Sequence, residues 1–180
     1  MRVLHVTGHS DRPETEMFIG LHRLGVELRV CCAPGSRYRN RLTQAGIPVE
    51  EIIIRGRMDR KAVARIRRLI SSGKFDLLHL FNNKAVSNGI LAARGRAVKI
   101  IAYRGITGNV SFWNPASWMT YLNPRLDRII CVAEAVRRYF LQMRWLGLRL
   151  PPDKFVTIYK GHRLDWYREP LADLQPVGIP

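Results

Sequence analysis

Apolar residues fall in short, nearly unbroken runs: RVLHVT (Arg2–Thr7), VELRVCCA (Val26–Ala33), VEEIII (Val49–Ile54), DLLHLF (Asp76–Phe81), KIIAY (Lys99–Tyr103), RIICV (Arg128–Val132) and FVTIY (Phe155–Tyr159). Each ends in polar residues, often followed by a helix-length amphipathic stretch. Strands apolar on both sides and separated by helices predict a parallel sheet covered on both faces. The expected fold is therefore α/β and doubly wound, with a mostly parallel six- or seven-stranded sheet and helices on both faces. Helices are predicted over Glu14–Leu24, Ser36–Ala45, a segment capped by Asp59, Lys84–Arg94 and Ala133–Leu146. Gly25 and Gly46 stop the first two. Gly105–Pro124, rich in glycine, proline and aromatics, reads as a structured functional loop with a short helix.

In such sheets ligands bind outside the carboxyl ends of the strands. The candidates are therefore the polar residues at those ends: Gly8 and His9, Asn82 to Lys84, Tyr103 to Gly105, and Lys160 to His162. The turn after the first strand, TGHSDRPE, has one glycine, so the G-x-G-x-x-G fingerprint is absent, and no P-loop occurs elsewhere. The domain is expected to hold something other than a dinucleotide.

Composition changes this picture in one respect. The 180 residues are 47% hydrophobic and 24% charged, which suits one globular domain, but 30 Lys and Arg against 14 Asp and Glu give a net charge of +16. That excess draws polyanions: phosphorylated substrates, an anionic lipid surface or nucleic acid. No apolar run approaches the roughly 18 residues of a membrane span, and the start lacks the apolar core of a signal peptide. Cys31, Cys32 and Cys131 lie in apolar strands without CxxC spacing, so they read as buried reduced thiols of a cytosolic protein. No metal ligand set is expected.

The order of these strand ends resembles the N-terminal half of a family 4 glycosyltransferase of the GT-B type. The resemblance rests on DLLHL entering NNKAVSNGILAAR, on KIIAYRG, on RIICVAEAVRRYF and on VTIYKGHRLDWY, and it covers about Met1 to Tyr167. It implies a Rossmann-like acceptor-side domain over residues 1–167 and a linker over 168–180 toward a C-terminal domain that binds the nucleotide-sugar. It implies retention of configuration, a nucleotide-sugar co-substrate with no other cofactor, and no metal. The acceptor implied is a lipid-linked or surface glycan such as lipopolysaccharide, met by a cytoplasmic protein peripheral on the inner membrane face. The chain departs from the family pattern at several points. Gly8-His9 replaces a glycine pair, Phe81 and Arg104 stand where histidines are common, and Lys160-Gly161 replaces Asn-Gly. These changes add positive charge, so the expected acceptor is anionic or phosphorylated.

The residues expected to bind substrate are Gly8, His9, Asn82, Asn83, Lys84, Arg104, Gly105 and Lys160; no catalytic residue is named. Arg104, Lys84 and Lys160 would hold anionic groups, and His9, Asn82 and Asn83 would align hydroxyls. Each has a plainer reading. Asn82 and Asn83 could cap the next helix, Lys84 could be an ordinary helix-start lysine, and Arg104 could pair with an internal carboxylate. His79 reads as a buried, hydrogen-bonded structural histidine. Trp113, Trp118 and Tyr121 form either a local aromatic cluster or a sugar-stacking platform. The basic helix Arg60–Lys74 and the helix Ala133–Leu146 read either as ordinary amphipathic helices or as membrane-surface segments. Two other classes stay open: a basic nucleic-acid-binding module and a non-catalytic glycosyltransferase homologue.

Overall fold

The computed structural model describes residues 1–167. The expected linker over 168–180 lies outside the described residues. The strands are β1 (Arg2–Val6), β2 (Glu27–Cys32), β3 (Val49–Glu51), β4 (Leu77–Leu80), β5 (Lys99–Arg104), β6 (Arg128–Cys131), β7 (Arg144–Trp145), β8 (Leu148–Arg149) and β9 (Phe155–Thr157). The helices are α1 (Arg12–Arg23), α2 (Arg39–Gln44), α3 (Arg60–Gly73), α4 (Asn83–Ala92), α5 (Pro115–Trp118) and α6 (Glu134–Gln142).

Seven strands form one sheet in the order β3-β2-β1-β4-β5-β6-β9, and every neighbouring pair is parallel. The chain runs outward from β1 to β3 and then returns to place β4 beside β1. The sheet's winding reverses between β1 and β4, and such a reversal opens a crevice at the carboxyl ends of the strands.

Two apolar clusters hold the layers together. Phe18, Ile19, Leu42 and Ile47 join Val3, Leu28 and Val30 on the face covered by α1 and α2. On the opposite face Ile66, Ile70, Ile90 and Phe140, from α3, α4 and α6, pack onto Leu4, Leu78, Ile100 and Ile129. Beyond β4 the α1 face carries no helix among the described residues. There Ile101 and Ile130 are half-buried, and Val156 and Ile158 are exposed. Cys31, Cys32 and Cys131 are buried free thiols.

The predicted strands end early at two places. β3 stops at Glu51 rather than Ile54, and β9 stops at Thr157 rather than Tyr159. In both cases apolar residues continue past the end of pairing, and Ile52 stays buried without belonging to a strand. The predicted helix Ser36–Ala45 is shorter, Arg39–Gln44. The helix expected to reach Leu146 ends at Gln142, because Met143 turns extended and residues 144–149 form the antiparallel β7–β8 hairpin. Its turn, Leu146-Gly147, has positive φ at both positions (49° and 81°). That geometry usually selects Asn-Gly, a signal that Leu146-Gly147 does not carry.

Loops at the crevice are fixed by polar contacts rather than by glycines. Asp59 caps α3 as expected, its side chain accepting from the backbone N–H groups of Lys61 and Ala62. Asn88, fully buried on α4, accepts from Asp59 N at 2.8 Å and donates to the carbonyls of Gly56 at 2.7 Å and Lys84 at 2.8 Å. One side chain thereby ties the loop before α3 to the start of α4. Asn88→Ala would take this partner from the half-buried N–H of Asp59 and carbonyl of Gly56, so urea denaturation should show a loss of about 1–3 kcal/mol; a loss below about 0.5 kcal/mol would mean the tie is dispensable.

Candidate functional site

A cleft of about 670 Å³ opens at the carboxyl edge of the sheet where the winding reverses. The strand ends supply it. Thr7, Gly8 and His9 follow β1; Ala33 follows β2; Ile52 to Ile54 follow β3. Phe81 to Lys84 follow β4, and Tyr103 to Ile106 close β5, with Tyr121 behind them. Seven of the eight residues expected to bind substrate therefore lie together: Gly8, His9, Asn82, Asn83, Lys84, Arg104 and Gly105. Among the described residues the cleft lining contains Lys84 and Arg104 and no Asp or Glu.

Each of these residues has a local role. Asn82 is the N-cap of α4, its Oδ1 accepting from Ala85 N at 2.9 Å, so the plainer reading applies to that atom. A Cβ added at Gly8 would meet Asn82 Nδ2 at 3.4 Å, ordinary contact, so Gly8 is not required by crowding. Lys84 is exposed and makes no ion pair among the described residues. A cation in the first turn of α4 opposes the helix dipole, and an anion bound there would relieve that cost.

Arg104 is 3% exposed at the end of β5. Nε donates to Ile106 O at 2.9 Å and one terminal nitrogen donates to Gly108 O at 2.5 Å. The guanidinium carbon stands 4.7 Å from the centre of the Tyr121 ring. An internal carboxylate partner is not what the structure supplies: carbonyl oxygens and a π face accept the charge instead. This geometry leaves the cation's net charge uncompensated at the cleft wall.

Lys160 is the exception. It lies outside the cleft, ion-paired with Asp11 and, at 3.5 Å, with Glu14, with Nζ 5.7 Å from the Tyr103 ring centre. Two carboxylates at the start of α1 draw it away from the crevice, which the local sequence around Lys160 could not reveal. Burial lowers its pKa, but the Asp11 hydrogen bond and the charge of Glu14 outweigh this and raise it overall. A smaller, mostly apolar cavity of about 170 Å³ lies beside it, lined by Glu14, Met17, His79, Tyr103, Ile130 and Ile158 among others.

The sequence family profile of glycosyltransferase family 4 matches residues 15–166. The chain belongs to glycosyltransferase family 4. A glycosyltransferase from Rickettsia africae superposes with a TM-score of 0.68 at 17% identity, covering 97% of this chain and 46% of that one. HepE from Anabaena, solved with UDP and glucose, gives 0.65 at 16% identity over 93% of this chain and 46% of its own. MurG from Acinetobacter baumannii gives 0.59 at 16% identity over 96% and 49%. No curated protein matches the chain. At these identities the likenesses show the fold, and the family 4 chain spans about half the length of the solved proteins it matches.

Sequence reasoning missed the histidine pair inside this family 4 sheet. His5 and His79 face each other in register on β1 and β4, ring centres 5.2 Å apart, stacked among Phe18, Phe81 and Tyr103. Burial lowers the pKa of His5 to about 3. Burial, and then the neighbouring His5, hold His79 well below its ordinary value, so both rings are neutral. His79 is buried as expected, but its Nε2 has no hydrogen-bond partner among the described residues. Two histidines at paired positions were the available signal, visible only once β1 and β4 are known to be neighbours. Glu134, opening α6, accepts from Thr157 Oγ1 at 2.8 Å and from Arg137 at 3.2 Å, joining α6 to β9 rather than facing the cleft.

Among the described residues no group of His, Cys, Asp or Glu is placed to hold a metal ion, and no helix is long and apolar enough to cross a membrane. Glu14 carries the pH dependence of this region. Burial, then the charge of Asp11, raises its pKa to about 7, while Lys160 opposes the rise. A folded-state pKa above the unfolded value means stability that is full below about pH 4.5 and lost as pH climbs through 7. Thermal melts should show this falling limb, on the order of 2 kcal/mol between pH 5 and 8. Glu14→Gln should flatten it, and an unchanged slope would remove Glu14 as its source.

Proposed function

We propose that this chain is the acceptor-side half of a glycosyltransferase, holding an anionic or phosphorylated acceptor while a second domain presents the nucleotide-sugar. The observation that carries the reading is the cleft at the strand ends, whose lining among the described residues has two cations and no carboxylate. In such a site an anion meets attraction from Lys84, from the uncompensated charge of Arg104 and from the N-terminal turn of α4. Asn83 and His9, both in the lining, would align hydroxyls.

The chemistry this arrangement can supply is positioning. Arg104 cannot accept a proton, and among the described residues the lining has no carboxylate to act as general base. Holding the acceptor against an activated sugar in a closing cleft supplies rate through proximity and exclusion of water. The retaining course, the lipid-linked or lipopolysaccharide-type acceptor and a site at the inner membrane face follow from the family resemblance together with the net charge of +16. The nucleotide-sugar is a co-substrate in this reading, and no further cofactor or metal takes part.

A non-catalytic homologue is the second reading. It is favoured by the commitment of Arg104 to the Ile106 and Gly108 carbonyls, which gives that residue a structural role whether or not substrate binds.

Titration of the 180-residue chain, followed by backbone NMR, should separate the partners. A prenyl phosphate or sugar phosphate should shift the amides of Gly8, Asn83, Lys84 and Gly105. Lys84→Ala should weaken that binding about tenfold, the loss of roughly one charge-assisted contact. UDP-glucose should bind at least tenfold more weakly than the phosphorylated acceptor. Tighter binding of UDP-glucose in the same cleft would overturn the acceptor assignment.

A further inference from the structure

The β7–β8 hairpin and the loop beside it are built against the usual rules for a solvated surface. Phe112, Trp118 and Trp145 cluster with ring centres 5.9, 5.9 and 6.1 Å apart, Phe112 stacked on Trp145 and Trp118 edge-on to Trp145. The residues next to them in the chain are left outside: Trp113 is 81% exposed and Leu146 is 85% exposed. Scattered exposed apolar residues need no explanation, but two large ones flanking one aromatic cluster form a patch.

Leu146 is the telling residue. It occupies the first position of a two-residue turn with φ 49°, followed by Gly147 at φ 81°. Asn or Gly is favoured at that position, since a branched side chain is strained there. Leu146 gains nothing from packing to offset the strain, because it is nearly all in solvent. The fold does not account for it.

The charges beside the tip point the same way. Arg144 and Arg149 stand directly opposite each other across the hairpin, both exposed. Like charges facing across a two-stranded ladder are destabilising. Neither arginine makes an ion pair among the described residues. An anion lying over the pair would turn this repulsion into attraction, and guanidinium groups suit phosphate. Tryptophan and leucine beside paired arginines match the chemistry of a bilayer interface, with apolar groups reaching the acyl boundary and cations at the phosphates.

From this we infer that the hairpin tip, with Trp113 and the Phe112–Trp118–Trp145 cluster, is a docking surface for an anionic lipid bilayer. It deepens the membrane-side reading above and rests on it. The patch is also joined to the cleft. Arg104 holds the loop carbonyls of Ile106 and Gly108, and Tyr139 Oη bonds both the N–H and the carbonyl of Val110, two residues before Phe112. The loop running from the cleft wall to the patch is thus fixed at both ends, which would set the cleft at a constant height above the lipid phosphates.

Flotation of the 180-residue chain with vesicles of phosphatidylcholine containing one third phosphatidylglycerol tests this. The wild-type chain should float with these vesicles and stay behind with pure phosphatidylcholine. Leu146→Asn removes the apolar tip and relieves the turn, so it should melt no lower than wild type yet, combined with Trp113→Ser, lower the partition coefficient at least tenfold. Arg144→Ala with Arg149→Ala should lower it by a similar factor on the anionic vesicles. Wild-type flotation that survives all four substitutions would overturn this surface and leave the membrane-side reading standing. Failure of the wild-type chain to float would overturn both, while leaving the cleft titration with a sugar phosphate as a separate test of the acceptor assignment. Arginine-dependent binding to an acidic peptide or to single-stranded DNA, with no effect of Leu146→Asn on flotation, would assign the patch to a polyanion and overturn the bilayer.

Discussion

A buried guanidinium without a carboxylate is a demanding thing to build into a sheet, and the upper edge of this protein is arranged around one. Arg104 ends the interior strand β5, where Ile100 and Ala102 before it are fully buried. Its charge can be tolerated there only if fixed dipoles replace water. The chain provides them by folding the segment after β5 back so that the carbonyls of Ile106 and Gly108 point at the guanidinium, with the Tyr121 ring beneath it. That single requirement shapes the cleft wall, sets the start of the Gly105–Pro124 loop and leaves a positive field in the crevice. Had an aspartate served as partner, the loop could have been held as firmly, but the cleft would have lost its bias toward anions.

The same logic separates the two lysines. Lys84 and Lys160 looked alike as cations following strand ends. The parallel register puts Lys84 on the first turn of α4, facing the reversal of winding, where no carboxylate reaches it. Lys160 follows the edge strand β9, and the chain there passes beside the amino end of α1, which carries Asp11 and Glu14. Asp11 caps α1 through Glu14 N, and Glu14 lies in the first turn beside it. The acids that stabilise α1 thus capture Lys160 and hold the segment after β9 against that helix. A second contact reinforces this: Arg12 donates to Trp166 O at 3.2 Å and lies 5.3 Å from its ring centre.

What could be read from the sequence divides along these lines. The parallel core was legible because strands buried on both faces must be continuously apolar, and Leu77–Leu80 and Lys99–Arg104 are nearly so. The gathering of Gly8, Asn82–Lys84 and Arg104 at one edge follows from that class of sheet, since every strand end of a parallel sheet meets the same rim. Long-range partners were not legible. Nothing local to His5 announces His79, nor does the segment around Lys160 announce Asp11 and Glu14. The hairpin was misread for a different reason. QMRWLGLRL has the composition of an amphipathic helix end, and its turn uses Leu where Asn-Gly would have been the signal.

The departures from the family pattern then make physical sense as one set. Replacing a histidine by Arg104 substitutes a permanent cation for a titrating one. Phe81, in the other such position, stacks between His79 and Tyr103 at 4.1 and 5.4 Å and keeps that face of the cleft apolar. With His5 and His79 held neutral by burial beneath it, the positive charge that the described residues bring to the cleft lining comes from Lys84 and Arg104. A site assembled this way, with a guanidinium where a histidine is common and an ammonium on the facing helix turn, is suited to gripping an anion.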